Sequence, residues 1–272
     1  MQYLAFDARN VDQSVEAGIT PAIFEVAWGH FDAAATAQAL ASCSECPAPH
    51  IESYNDVPFY SWGEDWQGDF RNLNGPPAFD ALGRGGRIAV SSEYIYRTVE
   101  TPGMKALIDS RAGDGQSLAD VEEFRLLGQA MSGLGAYAAF FSNQTHKVSA
   151  VPDDASTIAT VPDFQEKLIN EIGNSSLLLP YLAFSTGVGR DDTGRYLALA
   201  LVHSDAESAE ENGRRLKRRI AENPELQAWM DGLKESTFHV EGRVLSAMLR
   251  GDSPASGWRS LVFMITPLIP HE

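Results

Sequence analysis

Short apolar runs of strand length, joined by brief polar links, constrain the fold of this chain more than any other feature. The runs at residues 57–62, 94–98 and 196–202 show the alternation or the β-branched and aromatic enrichment that is typical of strands. Similar runs occupy residues 22–28, 51–54, 87–90, 136–141, 179–185, 237–240, 244–249 and 261–265. Because polar pairs such as Asn55-Asp56 and Glu241-Gly242 suit tight turns between neighbouring strands, we expect mostly antiparallel sheets.

Helix-start signals interrupt these strands. Asp32, Ser117 and Asp205 are suitable N-cap residues, because each side chain can accept a hydrogen bond from an otherwise unused backbone N–H. Apolar residues recur at helical spacing from Leu118 to Met131, which predicts a helix with one face packed on a sheet. The sequence therefore predicts an α+β fold with mostly antiparallel sheets and helices packed on one face.

The chain of 272 residues is long enough for one large domain or for two packed halves. A strand, a helix and a hairpin follow one another twice, which is compatible with two related halves and equally with shared capping chemistry. Polar residues dominate 143–160, so we place the join there. We expect one α+β half at residues 1–142, a linker-like segment at 143–160 and a second half at 161–272, and one continuous globular unit is the alternative.

Acidic residues outnumber basic ones, with 37 Asp and Glu against 21 Lys and Arg and a net charge of −16. This charge repels phosphate backbones and anionic membrane surfaces, so nucleic acid is not an expected partner. No apolar run approaches the roughly 20 residues of a membrane-spanning helix, and we expect a soluble protein without a transmembrane segment. Five basic residues form the positive end of a predicted solvated helix: Arg214, Arg215, Lys217, Arg218 and Arg219.

Residues 59–70 have the composition of a recognition site. Trp and Tyr side chains can stack on sugars or apolar groups, while carboxylates accept hydrogen bonds from the same ligand. The candidate binding residues are Tyr60, Trp62, Glu64, Asp65, Trp66 and Asp69. A glycan or a protein is the partner that this composition suits. The alternative is a structural loop, because aromatic residues in and after a strand usually fill the core.

Sequence motifs for catalysis, metal binding and cofactor binding are absent. The sequence contains neither the G-x-S-x-G pattern of activated serines nor the H-E-x-x-H pattern of zinc hydrolases. Calcium would find oxygens on Asp65, Gln67, Asp69 and Asn72, but their spacing differs from the twelve-residue calcium loop. His203 precedes the N-cap Asp205, and we expect it to order the helix start. We therefore predict no catalytic residue, no metal and no cofactor.

A segment of about 55 residues, 87–141, resembles a bacterial extracytoplasmic family of unknown function. The resemblance lies in a hairpin around Ser91-Ser92, a helix after Thr101-Pro102, a Ser117-Leu118-Ala119-Asp120 helix start and a strand that contains Tyr137. Members of that family are similar to secreted or lipid-anchored proteins. The resemblance implies a periplasmic or cell-surface location, with membrane association only through an N-terminal leader or anchor that this sequence does not show, and it implies no catalytic residue.

Cys43 and Cys46 are the only cysteines and have a C-x-x-C spacing. Zinc would need two further ligands and only His50 lies nearby, while a redox motif would place the first cysteine at a helix start rather than after a helix. With the extracytoplasmic location that the resemblance implies, we expect an intramolecular disulfide of structural role. Two free thiols are the alternative.

These observations favour a non-enzymatic extracytoplasmic module that binds a partner or serves a structural role in a bacterial cell envelope. The alternative is a hydrolase whose polar groups converge only in the fold, which sequence spacing does not reveal.

Overall fold

Two antiparallel sheets organise the protein, one in each of two units, Met1–Ser117 (unit 1) and Leu118–Glu272 (unit 2). The computed structural model describes residues 7–19, 22–42, 48–68, 83–145, 177–223, 232–262 and 268–272. Within this part of the chain, no helix is long and apolar enough to cross a membrane. The predicted α+β class with antiparallel sheets is confirmed.

Unit 1 contains a six-stranded sheet in the order β1-β2-β6-β5-β4-β3. Its elements are β1 (Val11–Ile19), β2 (Ala22–Gly29), α1 (Ala33–Ser42), β3 (His50–Tyr54), β4 (Val57–Ser61), β5 (Arg87–Val90), β6 (Tyr94–Thr98) and α2 (Thr101–Ala112). The turn between β3 and β4 uses Asn55 and Asp56, both with positive φ, at 47° and 61°. Two positive φ angles give a two-residue turn that matches the right-handed twist of the flanking strands, so the predicted turn is confirmed.

Both faces of this sheet are covered. Alternate residues of the central strands point to opposite faces, because successive side chains of a strand alternate. On one face Phe59, Ala89 and Tyr96 pack against Met104 and Ile108 of α2. On the other face lies a cluster of Phe31, Leu40, Trp62, Ile88 and Ile95, in which Leu40 is contributed by α1.

Unit 2 contains a five-stranded sheet in the order β10-β11-β9-β8-β7. A 3₁₀ turn at Leu118–Asp120 leads into α3 (Glu122–Gly133), followed by β7 (Ala136–Ser142), β8 (Ala183–Asp191), β9 (Gly194–Val202), α4 (Ala206–Glu222), β10 (Leu233–Glu241), β11 (Val244–Gly251) and α5 (Pro254–Val262). The strand β9 lies near the centre of the sheet, and its last seven residues are buried.

Helices cover both faces of this second sheet as well. On one face Leu127 and Met131 of α3 pack on Ala198, Ala200 and neighbouring small residues. On the other face Leu197, Leu199 and Leu201 pack with residues of α4 and α5, among them Leu216 and Leu261. The prediction of helices on one face therefore does not describe either sheet. A helix pattern shows which residues of a helix are buried but not which side of the sheet buries them.

The division of the chain lies between Ser117 and Leu118 rather than in residues 143–160. Strand β7 pairs with β8, so α3 and β7, which the sequence placed in the first half, belong to unit 2. Residues 146–160 of the predicted linker lie outside the described residues. The sequence contains a polar segment at 143–160, but polarity does not show that a unit begins there. The pairing of β7 with β8 shows that the second unit begins before this segment.

The repeated order of elements is present, but the two sheets are assembled differently. A hairpin, a helix and a second hairpin occur in unit 1 as β1-β2, α1 and β3-β4, and in unit 2 as β8-β9, α4 and β10-β11. In unit 2 the two hairpins are neighbours, since β9 pairs with β11. In unit 1 the hairpin β5-β6 separates them, since β2 pairs with β6 and β4 with β5.

Candidate functional site

The loop that follows β4, residues 61–68, carries most of the predicted binding residues, and the structure gives them different roles. Trp62 is buried in the core beneath the sheet, and the half-buried Tyr60 packs against the same cluster. Asp65 is held in an ion pair, and Glu64 and Trp66 are exposed. The predicted residue Asp69 lies outside the described residues. Glu64 and Trp66 are therefore the predicted residues that are exposed and not engaged in this ion pair.

Trp66 occupies an unusual backbone position. The amide of Gln67 donates to the carbonyl oxygen of Glu64 at 3.2 Å, and the side-chain oxygen of Gln67 accepts from the amide of Glu64 at 3.2 Å. These two bonds close a turn in which Trp66 is the third residue and has φ of 63°. Glycine is the usual residue with positive φ at this place in a turn, and a bulky residue there costs roughly 1–3 kcal/mol.

A buried arginine fixes this turn. Arg87, at the start of β5, is 3% exposed, and its guanidinium donates through all three nitrogens. Nη2 lies 2.8 Å from the Asp65 carboxylate, and Nε donates to the Thr101 hydroxyl at 3.1 Å. Nη1 and Nη2 also donate to main-chain oxygens of Trp62, Gly63 and Gly85, at 3.4, 3.0 and 3.1 Å respectively. A planar fork with five N–H groups suits such a set of converging acceptors.

Asp65 connects the same turn to helix α2. Its Oδ1 accepts from the amide of Thr101 at 2.8 Å and from the Thr101 hydroxyl at 3.0 Å. The preceding residue, Glu100, makes no capping bond with its side chain. Asp65 thus provides, from a distant part of the chain, the acceptor that the first amides of a helix need, and its negative charge suits the positive end of the helix dipole.

Close backbone approach completes the scaffold on the other side of the loop. Gly85 is buried, and a Cβ atom there would lie 1.7 Å from the carbonyl oxygen of Trp62. The guanidinium of Arg84, a residue 7% exposed, lies 5.8 Å from the centre of the Trp66 ring. Trp66 itself remains 39% exposed. The loop thus places an indole ring at the surface, and the surrounding contacts fix the backbone conformation of the residue that carries it.

The sequence identified the loop but not its anchor. Arg87 and Thr101 were not predicted to belong to the site, because an arginine at the edge of an apolar run is usually exposed. The available signal was a charged residue at the first position of the short run 87–90, which is apolar in all its other positions.

Two of the oxygens considered for calcium already accept hydrogen bonds from the protein. Oδ1 of Asp65 accepts from Arg87 and Thr101, and Oε1 of Gln67 accepts from the amide of Glu64. Asp69 and Asn72 lie outside the described residues. Across the described ranges, no group of three or more His, Cys, Asp or Glu side chains is placed to hold a metal ion.

Unit 2 has an open groove of ≈ 730 Å³ between the β8-β9 turn, the start of β10 and the start of α5. Its charged side chains are mostly matched with one another. Lys234 forms an ion pair with Asp252, and Arg250 pairs with Asp191 and stacks on the Tyr196 ring at 5.1 Å. The bonds from Arg250 lower the pKa of Asp191 to about 2. These pairs hold the ends of the strands together and leave the groove without a strong excess of either charge.

The predicted basic helix end also differs from the expectation. Arg214 and Arg218 are exposed, as expected of a solvated face, but Arg219 is only 1% exposed. Burial lowers the pKa of Arg219 to about 10. Its Nη1 donates to the carbonyl oxygens of Leu268 at 2.7 Å and Pro270 at 3.5 Å. Arg219 therefore secures the chain near residue 270 rather than facing solvent.

Comparisons with known proteins add little to this geometry. No protein-family model and no curated protein matches the chain. A solved structure entitled "Structure of crystal form III of TP0453" shares 10% sequence identity with a TM-score of 0.41, over 93% of this chain and 81% of that chain. A likeness of this degree carries no argument about ligand or activity.

Proposed function

We propose that the protein is a non-enzymatic binding module of a bacterial cell envelope, and that the loop 61–68 recognises a glycan through Trp66 and Glu64. The indole ring offers a flat apolar surface for a sugar ring, and the neighbouring carboxylate can accept hydrogen bonds from sugar hydroxyls. The extracytoplasmic location is supported by the resemblance of residues 87–141 to secreted and lipid-anchored bacterial proteins.

The observation that carries this proposal is the left-handed backbone of an exposed tryptophan. A turn that served only to change chain direction would commonly carry glycine at position 66, because glycine adopts a φ of 63° without backbone strain. Strained residues that the surrounding structure holds in place are concentrated at binding sites. Here the Arg87–Asp65–Thr101 contacts hold the turn, so the ring is presented before any ligand arrives. Such preorganisation lowers the entropic cost of binding.

Replacing Trp66 with glycine should weaken binding at least tenfold while leaving the fold intact. The change removes backbone strain but also the contact with Arg84 and some rigidity of the unfolded chain. These effects oppose each other, so we expect the free energy of unfolding to stay within about 1 kcal/mol of the native value. Isothermal titration with soluble peptidoglycan fragments should show at least a tenfold loss of affinity, or about 1.4 kcal/mol.

Tyr137→Ala provides a matched control, because Tyr137 is an aromatic residue of unit 2 with 65% exposure. It should bind the fragments as the native protein does, and Trp66→Phe should keep part of the affinity. Equal binding by Trp66→Gly and the native protein would contradict the role of the loop. Binding of a protein from the envelope, lost in Trp66→Gly, with no glycan binding would replace the glycan by a protein partner. Substrate turnover that a single polar substitution removes would favour a hydrolase.

The proposed location predicts that Cys43 and Cys46, which lie outside the described residues, are joined by a disulfide when the protein is made in an oxidising compartment. Mass spectrometry of the unreduced, alkylated protein should then show no alkylated cysteine. Two alkylated thiols would exclude the bridge. Since the closed loop is short, we expect its reduction to change stability only modestly.

A further inference from the structure

A second set of polar contacts, in unit 2, centres on the fully buried His203 and has no part in the proposed glycan site. His203 follows the last residue of β9 and is 0% exposed. Its Nδ1 lies 3.3 Å from the carbonyl oxygen of Arg243, which can only accept, so Nδ1 carries a proton. Its Nε2 lies 2.8 Å from the side-chain nitrogen of Asn212 on α4.

The orientation of the Asn212 amide is fixed by the main chain of Leu179. The Leu179 amide donates to Oδ1 of Asn212 at 2.7 Å, and Nδ2 of Asn212 donates to the Leu179 carbonyl oxygen at 2.9 Å. If the Asn212 amide were reversed, Nδ2 would face the Leu179 N–H and Oδ1 would face the Leu179 carbonyl oxygen, so neither hydrogen bond could form. Nδ2 therefore donates one hydrogen to Leu179 and the other to His203, whose Nε2 must be an acceptor. The contacts require a neutral His203.

We propose that His203, Asn212 and Leu179 form a proton-operated latch, in which protonation of His203 turns the Asn212 amide and releases the main chain at Leu179. A protonated Nε2 is a donor and faces the donating Nδ2 of Asn212 at 2.8 Å. Rotation of the amide presents Oδ1 to the imidazolium, but it removes the acceptor of the Leu179 amide and the donor to the Leu179 carbonyl. Proton binding and docking of Leu179 therefore exclude each other.

Release of Leu179 also affects the C-terminal residues 270–272, because they pair with the adjacent Leu178. The Leu178 amide donates to the Pro270 carbonyl at 3.2 Å, and the Glu272 amide donates to the Leu178 carbonyl at 3.1 Å. These two bonds form an isolated parallel β-bridge between Leu178 and His271. The moving part of the latch thus consists of residues 177–180, and its release frees the Glu272 amide from Leu178, while Arg219 of α4 still holds the carbonyls of Leu268 and Pro270.

The charged and titratable groups around His203 come from each element packed against it. Asp205, at the start of α4, favours the proton, while burial opposes it and lowers the pKa of His203. The Arg243 guanidinium donates to the His203 carbonyl at 3.1 Å and pairs with Glu122 of α3 at 2.8 Å, so its charge is largely neutralised. The Tyr181 ring lies edge-on to the imidazole, with the ring centres 6.4 Å apart.

The sign of the pH effect follows from the histidine pKa in the two states. The closed latch holds His203 neutral, and for the open latch, in which Oδ1 of Asn212 can accept from Nε2, we take the ordinary histidine pKa of about 6.5. The open state then binds more protons at low pH, so the closed state loses stability as the pH falls below about 6.5. Between pH 7.5 and 5.0 the open population should rise about 30-fold, provided that the closed state stays unprotonated.

Amide hydrogen exchange on the full chain tests the latch. Protection factors of the Leu178, Leu179 and Glu272 amides should fall about 30-fold from pH 7.5 to 5.0, while those of β9 remain unchanged. His203→Gln keeps a neutral acceptor toward Asn212 and should remove this pH dependence. His239→Gln, a change in an exposed histidine of β10 outside the latch, should retain it. Constant protection in the native protein, or an undiminished fall in His203→Gln, would overturn the proposal.

Two further measurements keep the test decisive if His203→Gln does not fold. Nitrogen NMR of the native protein should show His203 as the neutral Nδ1–H tautomer at pH 7.5, and its protonation should coincide with the loss of protection. Asn212→Asp replaces the donor facing Nε2 by a carboxylate oxygen, so it should stabilise the imidazolium and abolish the fall in protection at pH 5.0. A fall that is unchanged in Asn212→Asp, or an imidazolium at pH 7.5 in the native protein, would contradict the latch.

Discussion

Replacing Arg87 with leucine should cost unit 1 about 3–5 kcal/mol of unfolding free energy, the largest effect that we expect from a single substitution. The guanidinium donates to the main-chain oxygens of Trp62, Gly63 and Gly85 and to Thr101, and it pairs with Asp65. Leucine fills much of the volume but leaves these buried oxygens without their donor, and each unsatisfied group costs about 1–3 kcal/mol. The anchor of the recognition loop would be lost together with the stability.

Urea unfolding followed by circular dichroism measures this effect, and exchange of the α2 amides assigns it to unit 1. Asp65→Asn should cost less, about 2 kcal/mol, because Asp65 is one-third exposed and an amide oxygen can still accept from Thr101. The double variant should cost less than the sum of the two, since both changes break the same contact. Arg9→Ala is the control, because Arg9 pairs with Asp7 at an exposed position and its loss should leave the midpoint unchanged. A loss below about 1 kcal/mol in Arg87→Leu would contradict the anchoring role.

Arg219→Ala should destabilise unit 2 by about 3–4 kcal/mol, while Arg218→Ala, one residue earlier, should change stability by less than about 0.5 kcal/mol. The two arginines share a helix and a local sequence, but Arg219 is buried and Arg218 is exposed. Truncation of Arg219 leaves a cavity and removes the donor to the Leu268 and Pro270 carbonyl oxygens. Because both variants remove one arginine charge, the difference between their stabilities measures the effect of burial.

Arg219→Met separates the remaining contributions. Methionine fills most of the space without a charge, and burial already opposes the charge of Arg219, as its lowered pKa of about 10 indicates. We expect a loss of about 1–2 kcal/mol, smaller than for alanine, because only the main-chain bonds are missing. Urea unfolding and exchange of the Glu272 amide are the measurements. Equal stability of the Arg219→Ala and Arg218→Ala variants would show that Arg219 does not secure the segment near residue 270.

Strands and turns were predictable from local sequence because their signals are local. Alternation and β-branched residues identified most strands, and the Asn55-Asp56 pair identified a turn with two positive φ angles. Short apolar runs without alternation were less informative. Residues 261–265 were expected to form a strand, but Leu261 and Val262 end helix α5, since a short apolar run also fits the buried side of a helix.

The binding loop shows where local information ends. Its composition predicted recognition, and Trp62 and Trp66 were both candidate binding residues, although the alternation of Trp62 with Tyr60 also suited a core position. In the structure Trp62 is 2% exposed and Trp66 is 39% exposed. The difference arises because Trp62 packs against Ile88 and Ile95 of other strands, whereas Trp66 lies in a turn that Asp65 fixes to the start of α2. The proposed recognition site remains a prediction that the Trp66 variants test.

The sequence by itself determined the α+β class, the antiparallel pairing of hairpins and the absence of local catalytic motifs, because these depend on residues close together in the chain. The tertiary structure alone decided where the two units divide, which face each helix covers and which polar side chains are buried. Arg87, Arg219 and His203 each contact main-chain oxygens of segments that lie 24 or more residues away, at Gly63, Leu268 and Arg243. The physical reason is that burial of a polar side chain is tolerated only where partners converge in space, and that convergence depends on strand order rather than on any local pattern.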